Sequence, residues 1–403
     1  MKKHNELVEY HLDCGYWSTR NDQRYGYVLC PEPFRIPQRF FPQLTDIGIL
    51  VADYHRGIKE LFKFCLDHAD YNRTYASIAR ICKQATDGLP ILIPERNIPI
   101  TKVDLMIDTD NRLRIAEIDS YNPRGIPFAL FLRDIYRDVP SPFCGITETI
   151  RNFACEDSFS WIYADKERYY STAFKQMQRI LSEEGIAMSV HNITELQKFD
   201  PNSKTMIIPW GIGRPEELRG KEMLVQAYDE NPEKFMFPLV PWTATKGLLG
   251  IVSNGYGNPE IEHLVENFYA GGNLNLFRTY TPPTVNISKQ GKEKHWCYGK
   301  KFVLKKNVSS GLKGVWIADT THEEFQKASN IKRSTYIAQE FVEQRTFPIP
   351  YYTEKGHVRT ADWYLRLTAY IGANGEVLDT EITGRQTPDV HGAPDCIMLP
   401  CVR

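Results

Sequence analysis

Residues 305–315 read Lys-Lys-Asn-Val-Ser-Ser-Gly-Leu-Lys-Gly-Val, set between the apolar runs Phe302-Val303-Leu304 and Val315-Trp316-Ile317. A lysine leaving a strand, followed by a small, glycine-bearing turn, suits phosphate. The backbone N–H groups of such a turn can point inward as an anion nest, while Lys305 and Lys313 add positive charge. Alone, the segment reads equally well as a basic β-hairpin with solvated lysines. Its company in the chain shifts the balance.

Far upstream lie Lys102-Val103-Asp104-Leu105-Met106-Ile107-Asp108, a Thr109-Asp110-Asn111 turn, and Leu113-Arg114-Ile115-Ala116-Glu117-Ile118-Asp119. Two strands joined by an Asp-Asn turn predict a hairpin. Alternation places Glu117 and Asp119 on one face of the second strand, with Asp104 near them on the first. Three converging carboxylates repel one another and raise their own pKa values unless a cation lies between them. Oxygen-only donors suit Mg²⁺, which keeps some waters and shares carboxylates with substrate phosphates. A hairpin with a polar solvent face is the plain alternative.

Together the two segments resemble the ATP-grasp superfamily, in its circularly permuted branch of glutathionylspermidine synthetase-like and glutathione synthetase-like carboxylate–amine ligases. Chain order carries the permuted reading, because Asp104, Glu117 and Asp119 precede Lys305 and no second acidic Glu-x-Asn pair closes the sequence. The resemblance extends over roughly residues 100 to 390. It includes Trp242–Leu249 with Lys246 leading a helix, Thr281-Pro282-Pro283-Thr284 before the lid, and Tyr336–Glu343 as an interdomain hinge. Leu365-Arg366-Leu367 and Thr383-Gly384-Arg385 each place an arginine after a strand, as the family does. Departures are Asp119 where the family has an amide, Lys306 where it has proline, and Ser309-Ser310 in a turn that is elsewhere richer in glycine.

The resemblance implies a mixed α+β, ATP-grasp fold with a small α/β parallel-sheet domain. It divides the chain into residues 1–150 (arm, helices and acidic hairpin), 151–255 (the parallel-sheet domain) and 256–403 (nucleotide lid and remaining core). It also implies roles. Lys246 and Lys305 hold phosphates, Ser310, Gly311, Lys313 and Gly314 close over them, and Gln339, Glu340, Phe341, Val342 and Glu343 hold adenine. Asp104, Glu117 and Asp119, or Asn122 in place of Asp119, hold Mg²⁺. Arg366 and Arg385 face the reacting groups, and Arg124, in the polar loop after the acidic strand, meets a substrate carboxylate.

The implied reaction joins a small-molecule carboxylate to an amine, drawn from amino acids, peptides or polyamines, through an acyl phosphate made from ATP. A free carboxylate resists amine attack because its carbon is electron-rich and oxide is a poor leaving group; phosphorylation removes both obstacles. Lysines, arginine and Mg²⁺ neutralise the charge spreading over the γ-phosphate oxygens. Three other readings stay open: a phosphotransferase that stops after phosphate transfer, a binding or interaction protein whose ATP site has decayed, and an unrelated α/β binding module.

Composition fits an enzyme of this kind. The 403 residues, 42% apolar, suffice for two or three cores. With 49 basic and 50 acidic side chains the net charge of −1 offers no general attraction to nucleic acid or anionic membranes. Nine cysteines scattered without a Cys-x-x-Cys pair argue against a disulfide framework or zinc site, and favour a reducing, cytoplasmic setting. Gly211-Ile212-Gly213 is too short for a dinucleotide fingerprint.

Along the chain, residues 1–40 read as an irregular arm, followed by helices over Leu44–Asp67, through Ala76–Cys82 and over Pro127–Tyr136. From Phe159 strand and helix alternate through Ala187–His191 and Met206–Trp210, predicting a small parallel sheet covered by helices. From Leu274 onward the pattern reads as strands and turns.

Overall fold

The computed structural model describes the whole chain except residues 1–2, 14–17, 21–22, 26, 85–97, 121–124, 155–157, 164–170, 195–205, 211–221, 238, 240, 256, 270–272, 290–291, 310–313, 333–334 and 391–394. The chain opens on α1 (His4–Asp13), the hairpin β1 (Ser18–Arg20) and β2 (Gln23–Tyr25), and β3 (Phe34–Arg35). This corrects the expectation of an irregular arm: Leu7 of α1 is buried in the main core, and β3 pairs in parallel with the C-terminal strand. Leu7, with Val8 and Tyr10 packed beside it, makes too short an apolar pattern to stand out in the sequence.

Two helices follow, α2 (Phe40–Asp67) and α3 (Arg73–Lys83). Leu44, Ile47, Val51, Ile58, Leu61, Phe62 and Cys65 recur at helical spacing and are each at most 1% exposed, so α2 is a buried stripe along its length. Asn72 caps α3, its side chain accepting from the backbone N–H groups of Thr74 and Tyr75 at 2.6 and 3.3 Å. The acidic hairpin is β4 (Ile100–Ile107) and β5 (Leu113–Asp119), antiparallel, followed by α4 (Ile126–Ile135) and α5 (Gly145–Ala154).

Next come β6 (Phe159–Tyr163), α6 (Ser171–Glu183), β7 (Met188–Asn192), β8 (Met206–Trp210) and α7 (Glu222–Glu230). The three strands form a parallel sheet in the order β7-β6-β8, as the alternation predicts. Then α8 (Lys246–Ser253), α9 (Pro259–Phe268) and α10 (Asn273–Tyr280) lead into β9 (Thr284–Ile287), β10 (Phe302–Lys306), β11 (Val315–Ala318), α11 (Glu323–Asn330) and β12 (Tyr336–Glu340). The helices α10 and α11 correct the expectation of strands and turns alone after Leu274. The last strands are β13 (Thr346–Tyr352), β14 (Val358–Gly372), β15 (Val377–Arg385) and β16 (Ile397–Val402).

Two further sheets carry the acidic hairpin and the lysine turn. A four-stranded antiparallel sheet, β11-β10-β12-β9, buries Phe302, Leu304, Ala338 and Phe325 in a core of its own. A seven-stranded sheet runs β3-β16-β15-β14-β4-β5, with β13 on the remaining part of β14. Val103, Leu105, Ile115, Leu365, Leu367, Ile382 and Leu399 join α2 in one core, so one face of this large sheet is apolar. The other face carries polar rows, and toward Ile100, Tyr370 and Leu378 it joins a second core with α4 and α5.

On β5 this division depends on a bulge. Leu105 pairs with Ile115 but Asp104 with Glu117, leaving Ala116 as the extra residue. Regular alternation would put Glu117 and Asp119 on the same face as Leu113 and Ile115, against the core. The bulge turns them to the polar face.

The long helix and the sheet also meet backbone to backbone. Gly375, at φ +90° in the β14–β15 turn, approaches Gly48 of α2 so closely that a Cβ on Gly48 would lie 2.1 Å from the Gly375 carbonyl oxygen. The Gly48→Ala protein should therefore lose about 1–3 kcal/mol through overpacking. A melting temperature equal to that of the native sequence would show that the turn yields without cost.

Candidate functional site

The polar face of the seven-stranded sheet is the candidate site. Register sets its rows: Arg366 beside Met106 and Thr383, Thr368 beside Asp104 and Glu381, Tyr370 beside Lys102 and Asp379, and Glu117 beside Asp104. Arg366 lies in the middle of β14 and Arg385 ends β15, which corrects the expectation that each follows a strand.

Asp104 is the centre of this face, buried and fully engaged. Its Oδ1 accepts from the Thr368 hydroxyl at 3.0 Å, and its Oδ2 lies 3.1 Å from Lys102 Nζ and 3.6 Å from an Arg366 nitrogen. Burial alone would raise the carboxyl, but the Arg366 and Lys102 charges overcome it and hold the pKa at about 2. Arg366 also donates to Thr383 Oγ1 at 3.1 Å.

Two lysines descend on the same face from other elements. Lys246, the first residue of α8 and 9% exposed, places Nζ 2.8 Å from Glu117 Oε1 and donates to the Ser309 carbonyl at 2.9 Å. Its backbone N–H donates to Asn307 O, so the start of α8 is tied to the chain leaving β10. Lys305 sits on the face of β10 opposite that sheet's own core. Its Nζ donates to the carbonyl of Ala116, the bulged residue, at 2.8 Å and to Gln339 Oε1 at 2.9 Å. Lys305 is 6% exposed, and desolvation lowers its pKa to about 8 although Glu117 and Asp104 favour its charge. Burial would raise Glu117 too, yet Lys246 and Lys305 hold it below its ordinary value.

The expected hinge links the two sheets. Gln339 is buried in β12, with Nε2 3.3 Å from Thr284 Oγ1. Glu340 ends the strand with Oε2 3.8 Å from Lys300, and the Lys301 ammonium sits 3.8 Å from the Phe341 ring centroid. Val342 and exposed Glu343 follow, and the Glu343 carbonyl accepts from Thr109 N–H of the acidic hairpin. Gly314, at φ +88°, accepts through its carbonyl from Lys306 N–H at 2.8 Å, closing the base of the lysine turn.

Asp119 stands opposite Lys102 at the end of β5. Arg385 pairs with Asp389 at 2.8 Å and Asp395 at 2.6 Å, one row beyond Arg366 on the same face. Asn122, Arg124, Ser310, Gly311 and Lys313 lie outside the described residues. Among the described residues the structure thus brings together Asp104, Glu117, Lys246, Lys305, Gln339 and Arg366, and sets Arg385 on a separate pair of carboxylates.

Sequence reasoning missed Lys102, Thr368, Thr383 and Glu381. Lys102 was within reach, being two residues from Asp104 and so on its face. Among the described residues no three His, Cys, Asp or Glu side chains are grouped closely enough to hold a metal ion. With the oxygens of Asp104 taken, a divalent cation here would draw on Glu117 and Asp119 and complete its shell from phosphate and water, an arrangement that suits Mg²⁺. No helix among the described residues is long and apolar enough to cross a membrane.

No protein-family model matches the chain, and no curated protein does. Among solved structures it is similar to a glutathione synthetase-like effector from Globodera pallida in its apo form, with a TM-score of 0.57 and 13% sequence identity. The match covers 100% of this chain and 98% of that one. At that identity the likeness is one of fold: the chain has a mixed α+β fold similar to that of a glutathione synthetase-like protein.

Proposed function

We propose that this protein is an ATP- and Mg²⁺-dependent carboxylate–amine ligase of circularly permuted ATP-grasp type, forming an amide or peptide bond through an acyl phosphate. The observation that supports it is the meeting of Lys246, Lys305 and Arg366, from three separate elements, over Glu117 and Asp104 on a polar sheet face.

In this reading Lys305 and Lys246 hold the α- and β-phosphates, and the turn ending at Gly314 closes over them. Residues Gln339 to Glu343, between the two sheets, hold adenine. Arg366 faces the phosphoryl group in transit, and Asp104 with Thr383 fixes the orientation of its guanidinium. Glu117 and Asp119 hold Mg²⁺, which when bound neutralises charge on the phosphates. The γ-phosphorus passes to the substrate carboxylate, ADP departs, and the amine then displaces phosphate from the acyl carbon.

The test is the nucleotide product. With an acid and an amine supplied the protein should release ADP and phosphate, and with hydroxylamine in place of the amine a hydroxamate should accumulate. AMP as product would sink the mechanism. A second reading, an ATP-grasp-like binding protein, draws on the internal ion pairs of Asp104 and Glu117; nucleotide binding with no ADP from any acid would favour it.

Lys305 gives this reading a pH dependence. Its ammonium must be charged to meet phosphate, and its pKa of about 8 lies below the ordinary lysine value. ATP affinity should be flat below pH 8 and weaken by roughly tenfold per unit above it, as one linked proton requires. Lys305→Arg should abolish the slope. Calorimetry giving the same slope in both proteins would assign the proton elsewhere.

A further inference from the structure

One buried acid on the polar face has no part in the phosphoryl transfer. Glu381 of β15 is 2% exposed and sits beside Thr368, one row from Arg366 and Thr383. Its Oε1 accepts from the Tyr370 hydroxyl at 3.2 Å, and its Oε2 has no hydrogen-bond partner among the described residues. An orphaned carboxyl oxygen in a sheet interior is costly to keep unless something uses it.

Its neighbourhood is that of the proposed reaction. Arg366 and Lys102 supply positive charge to Glu381, Asp379 opposes it, and Cys401 of β16 lies near enough to sense its charge. Gly125, six residues after Asp119 in sequence, comes so close that a Cβ there would lie 2.3 Å from the Tyr370 hydroxyl and 3.6 Å from Glu381 Oε1. Glu381 therefore stands between the row that carries Arg366 and Gly125 at the start of α4.

We propose that Glu381 is the base that deprotonates the acceptor amine, Oε2 taking the proton of a primary ammonium. This rests on the ligase reading and adds a residue to it. The step balances simply. Glu381 carboxylate and R–NH₃⁺ become Glu381 carboxylic acid and R–NH₂. The nitrogen lone pair then forms the C–N bond to the acyl carbon, the C–O bond to phosphate breaks with its electron pair going to phosphate, and the remaining extra N–H proton leaves to that phosphate. Burial supports the role, because it pushes Glu381 up to about 8, far closer to an alkylammonium than an ordinary glutamate is.

The experiment compares two nucleophiles in the intact protein and in Glu381→Gln, which keeps volume and neutrality. The probes are ATP, Mg²⁺, the common amino acids with spermidine as acids and amines, and, separately, hydroxylamine, which is already neutral at pH 7 and needs no base. Expected for Glu381→Gln is a loss of amide formation of about a hundredfold or more, with hydroxamate formation within a factor of about three of the native protein. Glu381→Asp should restore part of the amide rate, which a purely structural role would not. In the native protein amide formation should rise with pH toward 8, and in Glu381→Gln it should follow the amine alone. Equal losses in both assays, or none, overturn the base role while sparing the ligase. Absence of ADP from the native protein overturns the ligase reading and the base with it, whereas a Glu381→Gln protein that melts far lower and traps nothing assigns Glu381 to the fold.

Discussion

Arg366→Ala should lower hydroxamate formation by about 10² to 10³, the usual cost of removing one donor aimed at transition-state charge. ATP affinity should change by no more than about threefold, because in the proposed arrangement the ground-state phosphates rest on Lys246 and Lys305. The separation is the informative part. A group that binds nucleotide and transition state equally would shift both measurements together. Arg366 is held from one side by Asp104 and from another by Thr383, so its position is set before substrate arrives. Asp104→Asn should reproduce a smaller share of the catalytic loss through Arg366 alone.

The same Asp104→Asn change should cost more in stability than in any binding measurement. It leaves Lys102 and Arg366 beside a neutral amide in a site where Asp104 is only 7% exposed, and breaking a buried pair in this way costs about 3–5 kcal/mol. The pH dependence has a fixed sign. Asp104 is held at about 2, below its unfolded value, so its contribution is fully present above the ordinary carboxylate pKa and is lost as pH falls toward 2. The native protein should therefore lose part of its denaturation midpoint between about pH 4 and 2, and Asp104→Asn should show a flatter profile there. Coincident acid profiles would mean that the ion pairs are replaced by solvent without penalty.

The hairpins were legible because their signals are local. An Asp-Asn turn flanked by strands announces β4 and β5, and a glycine-bearing turn announces β10 and β11. The parallel sheet showed itself through alternation of strand and helix. What could not be read is what joins distant parts of the chain. Asp104 meets Thr368 across 264 residues, Lys305 meets Ala116 across 189, and β3 pairs with β16 from opposite ends. No window of sequence holds both partners of such a contact. Glu381 escaped notice for the same reason: in Asp-Thr-Glu-Ile-Thr it looks like any acidic residue of an alternating strand, and what surrounds it, Tyr370 and Gly125 among others, comes from elsewhere in the chain. Lys246 reads as a surface lysine at a helix start until Glu117 is placed beneath it.

The spare residue at Ala116 behaves like a phase shift in a wave. Up to Ile115 the strand is in step with the greasy interior; from Glu117 on it is half a period out, in step with the chemistry. The two halves of one short strand thus present opposite parities to the core, the first through Leu113 and Ile115 and the second through Ile118. Position 116 is where the strand can change its length. Removing Ala116 would place Glu117 directly after Ile115 and keep it opposite Asp104, with Ile118 still opposite Val103, whereas removing any other residue of the strand would turn one half to the wrong face, so deletion scanning across residues 113–119 should find position 116 the most forgiving.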